Sequence, residues 1–328
     1  MPAMKRHATT ILGLGFVILM LTGLSSSWAG DNELPFWAYP DAPAKAAAPI
    51  DDGQLRSLPG SSRQFSLVQL RDFFSPPDWY PEDHPPMPPL VAHGAQPKAY
   101  ACGYCHLPTG MGRPENAPIA GLPAPYIIKQ VHEMKSGARK SALPEHYPQA
   151  LMWELAAQAA ADPGLEEAAA YFSSIKPGRF MKVVETDTIP KVEVMHWIYK
   201  KAEAGGTEPL GNRLIELTDD FGRFGQRDGR ITYTVYVPPG SLAKGEALVK
   251  TGNGKTVACA TCHGGDLNGM GLVPPIAGRS PSYIARQLHD FRAGVRNGDY
   301  SELMKPVVAG LGNDDLIAIT GYLASLEP

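Results

Sequence analysis

At 328 residues the chain is long enough for two ordinary domains, and 44% hydrophobic residues supply the side chains for packed cores. Its 30 Lys and Arg stand against 33 Asp and Glu, a formal charge of −3, so there is no basic excess of the kind that binds nucleic acid. All four cysteines fall in two short motifs, which leaves none for a structural disulfide.

Lys5 and Arg6 precede an uncharged apolar run, Ile11 to Leu24, and then Ser27-Trp28-Ala29, a small-x-small cleavage pattern. Residues 1–29 read as a secretory signal peptide, because the apolar run is short of the roughly 20 residues a spanning helix needs. An uncleaved membrane anchor is the alternative. Removal of residues 1–29 takes away both of those basic residues and moves the formal charge from −3 to −5. No later segment is long and apolar enough to span a bilayer.

Residues 30–89 form a proline-rich extension in which Pro76-Pro77, Pro85-Pro86 and Pro88-Pro89 block regular helix. Phe73, Phe74, Trp79 and Tyr80 predict that its latter half packs on a domain surface, whereas Ala42 to Ala48 reads as a loose spacer.

Residues 90–178 open on Cys102-Gly103-Tyr104-Cys105-His106, and residues 241–328 carry a second copy, Cys259-Ala260-Thr261-Cys262-His263. A lone Cys-x-x-Cys serves equally as a redox dithiol or as half of a zinc site. Two copies, each followed at once by histidine and with no spare cysteine, point instead to two covalently attached haems. Cys102, Cys105, Cys259 and Cys262 would form thioethers to the porphyrin vinyl groups, and His106 and His263 would be the proximal iron ligands.

The two stretches match each other beyond the motifs. Pro118-Ile119-Ala120-Gly121 and Tyr126 to His132 recur as Pro275-Ile276-Ala277-Gly278 and Tyr283 to His289, at the same offset of 157 that separates Cys102 from Cys259. The repeat continues through Arg139 and Arg296 and closes on Glu166 to Ile175 against Asp315 to Leu326. Each copy therefore reads as a small helical domain. Tyr283, Ile284, Gln287, Leu288 and Phe291 recur at helical spacing, with Ser282 as N-cap and Gly294 as stop; the closing helix follows Gly312, with Asn313 or Asp314 as cap.

Between the copies, residues 179–240 read as a linker. Arg230 to Val237 alternates like a β-strand before Pro238-Pro239-Gly240, so a hairpin or short sheet element is expected there, with Ser241 capping the next helix.

Each iron also needs a ligand opposite its histidine. For the second haem Met304 is favoured, placed in a loop between two helices, with Met270 as competitor. For the first, pairing the closing helices sets Met152 opposite Met304; Met111, Met134, His132 and His146 are rivals. Met134 aligns with Phe291 and so reads as apolar filling, and His132 and His289 read as packing residues repeated by duplication. The proximal imidazoles are expected to donate to backbone carbonyls ahead of the Ile-x-Gly turns, those of Ala117 and Pro274.

On the two haem motifs, Pro275 to Gly278, Tyr283 to Leu288, Arg292-Ala293-Gly294 and Met304-Lys305-Pro306, the repeat resembles the dihaem cytochromes of the cytochrome c4 type within the class I cytochrome c superfamily. That resemblance implies an all-α fold of two tandem cytochrome c domains, two covalent haem c groups, and His/Met ligation at His106 with Met152 and at His263 with Met304. It further implies electron transfer in the periplasm, and the first reading is a carrier rather than an enzyme, passing single electrons between a dehydrogenase or quinol-oxidising complex and a terminal acceptor. The long, partly β interdomain segment and the N-terminal extension depart from the family pattern, as does Met152-Trp153-Glu154 in place of Met-x-Pro. A cytochrome subunit of a larger dehydrogenase is the second reading, and a dihaem peroxidase-like enzyme the third.

Overall fold

The computed structural model describes residues 33–42 and 51–328, so the signal-peptide reading of residues 1–29 and most of the spacer reading near Ala42 lie outside the described residues. The extension comes first, with a 3-10 turn at Phe36–Ala38 and a small ribbon of β1 (Arg56–Ser57) and β2 (Gln64–Phe65). The first helical body follows: α1 (Pro89–Ala92), α2 (Cys102–His106), α3 (Ala124–Ser136), α4 (Tyr147–Ala159) and α5 (Leu165–Ser174). Its core is built from Leu90, Val91, Ile127, Val131, Leu165 and Phe172, the buried stripes of facing helices.

Next come β3 (Met181–Glu185), β4 (Thr188–Pro190), β5 (Val192–Met195), β6 (Ile198–Lys201), β7 (Thr207–Pro209), β8 (Ile215–Thr218), the short α6 (Phe221–Gly225) and β9 (Tyr233–Val237). The second helical body contains α7 (Ser241–Thr251), α8 (Ala260–His263), α9 (Pro281–Arg292), α10 (Ser301–Val308) and α11 (Asn313–Ser325). No helix among the described residues is long and apolar enough to cross a membrane.

The expected all-α fold is corrected by a five-stranded mixed sheet of order β3-β9-β8-β6-β5, with β4 and β7 as a separate antiparallel ribbon. The strand expected from the alternation before Pro238 is present as β9, where Tyr233, Val235 and Val237 point inward. Its partners are not those of a hairpin: β9 runs parallel to β3, with Met181 opposite Tyr233, and antiparallel to β8. Four-residue strands such as β8, buried along its whole length, carry no alternation to read.

The sheet is fastened to the second helical body by α11, which is buried on every side from Asp315 to Ala324. One side packs on α7 and α9 through Leu316, Ile319 and Leu323, and the other delivers Ile317 and Ala324 to the core that also holds Val235 and Val237. A helix apolar all round is one surrounded by protein.

The extension is an internal part of the fold as well as a cover. Its latter half packs as expected: Trp79 and Tyr80 are buried with Leu58 and Leu70, and the Trp79 indole N–H donates to the Gln226 carbonyl at 2.7 Å. Beyond the expectation, Trp37, Ala38 and Tyr39 are buried in the core beneath the sheet, where the Ala38 carbonyl accepts from Arg286 at 2.8 Å.

Three helix starts differ from the expected caps. Ser280, not Ser282, caps α9 by accepting from the Tyr283 N–H, and Pro281 takes the first helical position, where its missing N–H costs nothing. Gly240, at φ 82°, precedes α7, whose first residue is Ser241. At α11 the cap is Gly312, whose N–H donates to the Asp315 carboxylate at 3.0 Å.

The crossing of α7 and α11 rests on Gly245, where a Cβ would stand 2.1 Å from the Ala318 carbonyl oxygen and 2.6 Å from the Tyr322 Cβ. A mid-helix glycine costs about 1 kcal/mol relative to alanine, and it is tolerated because the backbones meet here. Gly245→Ala is expected to destabilise the protein by at least about 1–3 kcal/mol through overpacking, despite the better helix propensity of alanine. A lowered urea midpoint at unchanged slope checks this.

Candidate haem centres

Each motif helix is one turn long and delivers its histidine into the same local loop. The His106 Nδ1–H donates to the Ala117 carbonyl and the His263 Nδ1–H to the Pro274 carbonyl, both at 2.8 Å, the acceptors expected from the sequence. A carbonyl only accepts, so the proton belongs on Nδ1 and the Nε2 lone pair is left free for a metal. Burial lowers the pKa of both imidazoles and keeps them neutral, the form that ligates.

The loops that return those carbonyls depend on a glycine pair not singled out from the sequence. Gly112 and Gly269 sit at φ 70° and 83°, and each donates its N–H back to the motif histidine's own carbonyl, at 3.0 and 2.8 Å. A Cβ at Gly112 would lie 2.7 Å from the Ala117 carbonyl oxygen, and one at Gly269 would lie 2.6 Å from the Val273 oxygen. The signal was present in the sequence as glycine in the same frame of both copies.

The cysteines are unsuited to the competing chemistries. Burial pushes the Cys102 thiol up to about 12 and the Cys259 thiol up to about 11, and raises that of Cys105, whereas a redox dithiol works through a depressed pKa. The described residues contain no cluster of three or more His, Cys, Asp or Glu side chains, so neither pair has the further protein donors of a structural zinc site.

The methionines divide by position. Met304 is half-buried against the second helical core and lies within α10, not in the expected loop; Pro306 is accommodated because its missing N–H would have met the carbonyl of the exposed Glu302. Met152 is half-buried on α4 against the first core, together with Met134 on α3. Met111 and Met270 lie between the motif histidine and its carbonyl acceptor, on the loops beside the proximal imidazoles, and Met270 is 61% exposed.

His146 is fully buried with both ring nitrogens engaged, one by Gln149 and the other by the Pro40 carbonyl at 3.3 Å. His132 is exposed, while its repeat partner His289 is buried beside Arg292, which donates to Nδ1 at 2.9 Å. Burial and the Arg292 charge hold His289 down to about 4, so it is a neutral packing residue.

The two helical bodies meet across a seam whose polar groups repeat at the same offset as the motifs. Backbone segments after α3 and α9 pair antiparallel at Arg139 and Arg296. Arg139 donates to Gln130 at 2.9 Å and across the seam to Gln287 at 2.7 Å and the Tyr283 hydroxyl at 3.3 Å. Arg296 mirrors it, donating to Gln287 at 3.1 Å and across to Gln130 at 2.8 Å and the Tyr126 hydroxyl at 3.0 Å.

Arg279 and Arg286 are buried at the same seam, bonded to backbone carbonyls, and each leaves its Nε–H without a partner. Among the described residues none of these four guanidiniums forms an ion pair. Two buried carboxyls answer these four cations only in part: Asp290 and Glu216 lie within reach of their charge, while burial pushes Asp290 up to about 6 and raises Glu216. Unpaired buried cations are costly, so the seam suits an anionic group. The carboxylates of a porphyrin have that chemistry, and the residues present fit haem.

A tandem of helical bodies, each with a Cys-x-x-Cys-His motif and a carbonyl-anchored histidine, has the layout of a c-type cytochrome with two haem sites. The family model for cytochrome c matches residues 242–327. Cytochrome c4 of Azotobacter vinelandii is 28% identical over 240 residues, covering 72% of this chain and 89% of the relative. Cytochrome c-554(548) of Halomonas halodenitrificans is 34% identical over 77 residues, 23% of this chain and 93% of the relative. A thiosulfate dehydrogenase electron acceptor of Stutzerimonas stutzeri is 25% identical over 236 residues, 71% of this chain and 82% of the relative. The chain belongs to the cytochrome c family, and its two-repeat body matches the c4 type within it. It is an electron-carrying cytochrome with covalently bound haem c.

The seam arginines act as a unit because they share acceptors. Arg139→Leu or Arg296→Leu is expected to cost about 1.5–3 kcal/mol for each charge-assisted bond not replaced by water. The double variant should lose less than the sum of the singles, with a coupling of about 0.5–3 kcal/mol. A double-mutant cycle by urea denaturation of the holoprotein measures both.

Proposed function

We propose that the protein is a periplasmic dihaem carrier passing single electrons from a dehydrogenase or quinol-oxidising complex to a terminal acceptor. The observation that carries this reading is the duplicated histidine clamp, an imidazole held neutral and oriented in the same frame at His106, half-buried, and at His263, buried. Bound haem c supplies a one-electron iron couple whose potential the protein tunes.

In this reading Cys102 and Cys105 would hold one porphyrin and Cys259 and Cys262 the other, and Met152 and Met304 would add a thioether donor to the imidazole at each iron. Met304 on α10 and Met152 on α4 are each backed by an apolar core, so neither thioether has to move far when charge changes. Arg139, Arg279, Arg286 and Arg296 would receive the porphyrin carboxylates at the seam. Fixed ligands and buried counter-charges keep reorganisation small, which suits a carrier more than a catalyst that must open an iron site. The relative named for accepting electrons from thiosulfate dehydrogenase supports a dehydrogenase as donor. Export through residues 1–29 would place the chain where such enzymes work.

The unmodified holoprotein is expected to show two low-spin haems that bind neither carbon monoxide nor cyanide at modest excess. Met152→Ala and Met304→Ala should each open one haem, converting half of the absorbance to a ligand-binding form. If Met152→Ala leaves both spectra unchanged, the first sixth ligand is a different residue, and a high-spin haem in the unmodified protein would point to catalysis. Copurification with a flavin- or quinone-containing partner without harsh detergent would indicate a complex subunit instead.

A further inference from the structure

The two motifs are equivalent in sequence frame but not in what covers them. Tyr104 in the first motif is 4% exposed, whereas Thr261, its counterpart, is exposed; Cys105 is partly buried, whereas Cys262 is exposed. The cover on the first motif comes from two segments outside the repeat. From the extension, Phe73 stacks on Tyr100 at 4.3 Å between ring centroids and meets Tyr104 in a tilted contact at 4.7 Å, and its carbonyl accepts from the Ala101 N–H at 2.9 Å. Pro76 lies against Gly103, where a Cβ would come within 3.3 Å of its ring.

From the sheet insert, the loop after α6 places the Arg227 guanidinium 3.5 Å over the Tyr104 ring and donates from it to the Tyr104 carbonyl at 2.7 Å. The Trp79–Gln226 hydrogen bond ties the two covering segments together over the motif. Among the described residues nothing equivalent lies over the second motif, and Val257, Met270 and Leu272, on either side of it in the chain, are 49%, 61% and 46% exposed.

We infer that the extension and the sheet insert close the first haem's thioether edge to redox partners, so that the protein exchanges electrons with the outside at the face of Thr261 and Cys262. The inference rests on the two-haem carrier reading. Thioether bonds at the cysteines would place a porphyrin edge there, so what buries Tyr104 and Cys105 would also separate a partner's redox centre from that edge, and outer-sphere transfer falls steeply with distance. Each electron given up by an external one-electron donor reduces the second site. It is then passed inward, reducing the first site and reoxidising the second, which accepts another. Arg227 and Phe73 act here as shielding residues.

The test uses the full-length holoprotein with both irons ferrous and diamagnetic, titrated with a neutral gadolinium chelate while haem proton resonances are followed, each set assigned through contacts with its thioether cysteines. Resonances of the haem on Cys259 and Cys262 are expected to broaden several-fold more than those on Cys102 and Cys105. Arg227→Ala and Phe73→Ala, made separately, should each raise the broadening of the first set. In flash reduction by a photoexcited ruthenium bipyridyl complex, reduction of the second haem should scale with reductant concentration, and that of the first should follow in a concentration-independent phase. Equal broadening of two sets in the unmodified protein, or a first-haem rate rising with reductant as steeply as the second, overturns the inference and leaves the carrier reading intact. A single set of haem resonances overturns both.

Discussion

The hydrogen bond from each motif imidazole to a backbone carbonyl eleven residues further on is the constraint around which each helical body is arranged. A histidine at the end of a one-turn helix has no regular structure beyond it to hold its ring. The chain supplies that support by turning back through left-handed positions at Leu107, Gly110 and Gly112 in one copy and Gly264, Leu267 and Gly269 in the other. A left-handed leucine costs about 1 kcal/mol or more, and it is tolerated because the turn orients an imidazole whose lone pair must face one direction. The long helices then pack around a site whose axis is already set.

Duplication explains the seam. Because Tyr126, Gln130 and Arg139 recur as Tyr283, Gln287 and Arg296, apposing the two bodies about a local two-fold places each arginine against the other's glutamine. An isologous contact of this kind is normally found between identical subunits. Here it joins two halves of one chain, with the sheet insert bridging them from the side.

What was legible in the sequence follows from what covalent chemistry fixes. Cysteine spacing, the adjoining histidine and the carbonyl acceptors at Ala117 and Pro274 are local relations, and they recur at one offset. Strand β9 was legible because Tyr233, Val235 and Val237 alternate with residues facing outward. The sheet was not, because β8 is four residues long and buried throughout, β3 does not alternate between buried and exposed, and β3 finds β9 in parallel only across the intervening strands. Trp37 was equally hidden, since its burial depends on Phe180, Tyr233 and Ile317, distant in the chain. The helix around Met304 was concealed by Pro306, a residue that signals a break wherever its carbonyl partner four positions back is buried, which that of exposed Glu302 is not.

The encirclement of α11 bears on how such a chain could change over generations. In a free-standing haem body the outward side of the last helix would be wetted and polar. Here Ile317, Gly321 and Ala324 have been given over to the sheet, with Gly321 so close to Val237 that a methyl group would come within 2.8 Å of it. Excising the strands would strand a greasy ridge in water and invite self-association. The insert, once accommodated, has therefore become hard to lose, a ratchet set by shape complementarity rather than by any demand of electron transfer.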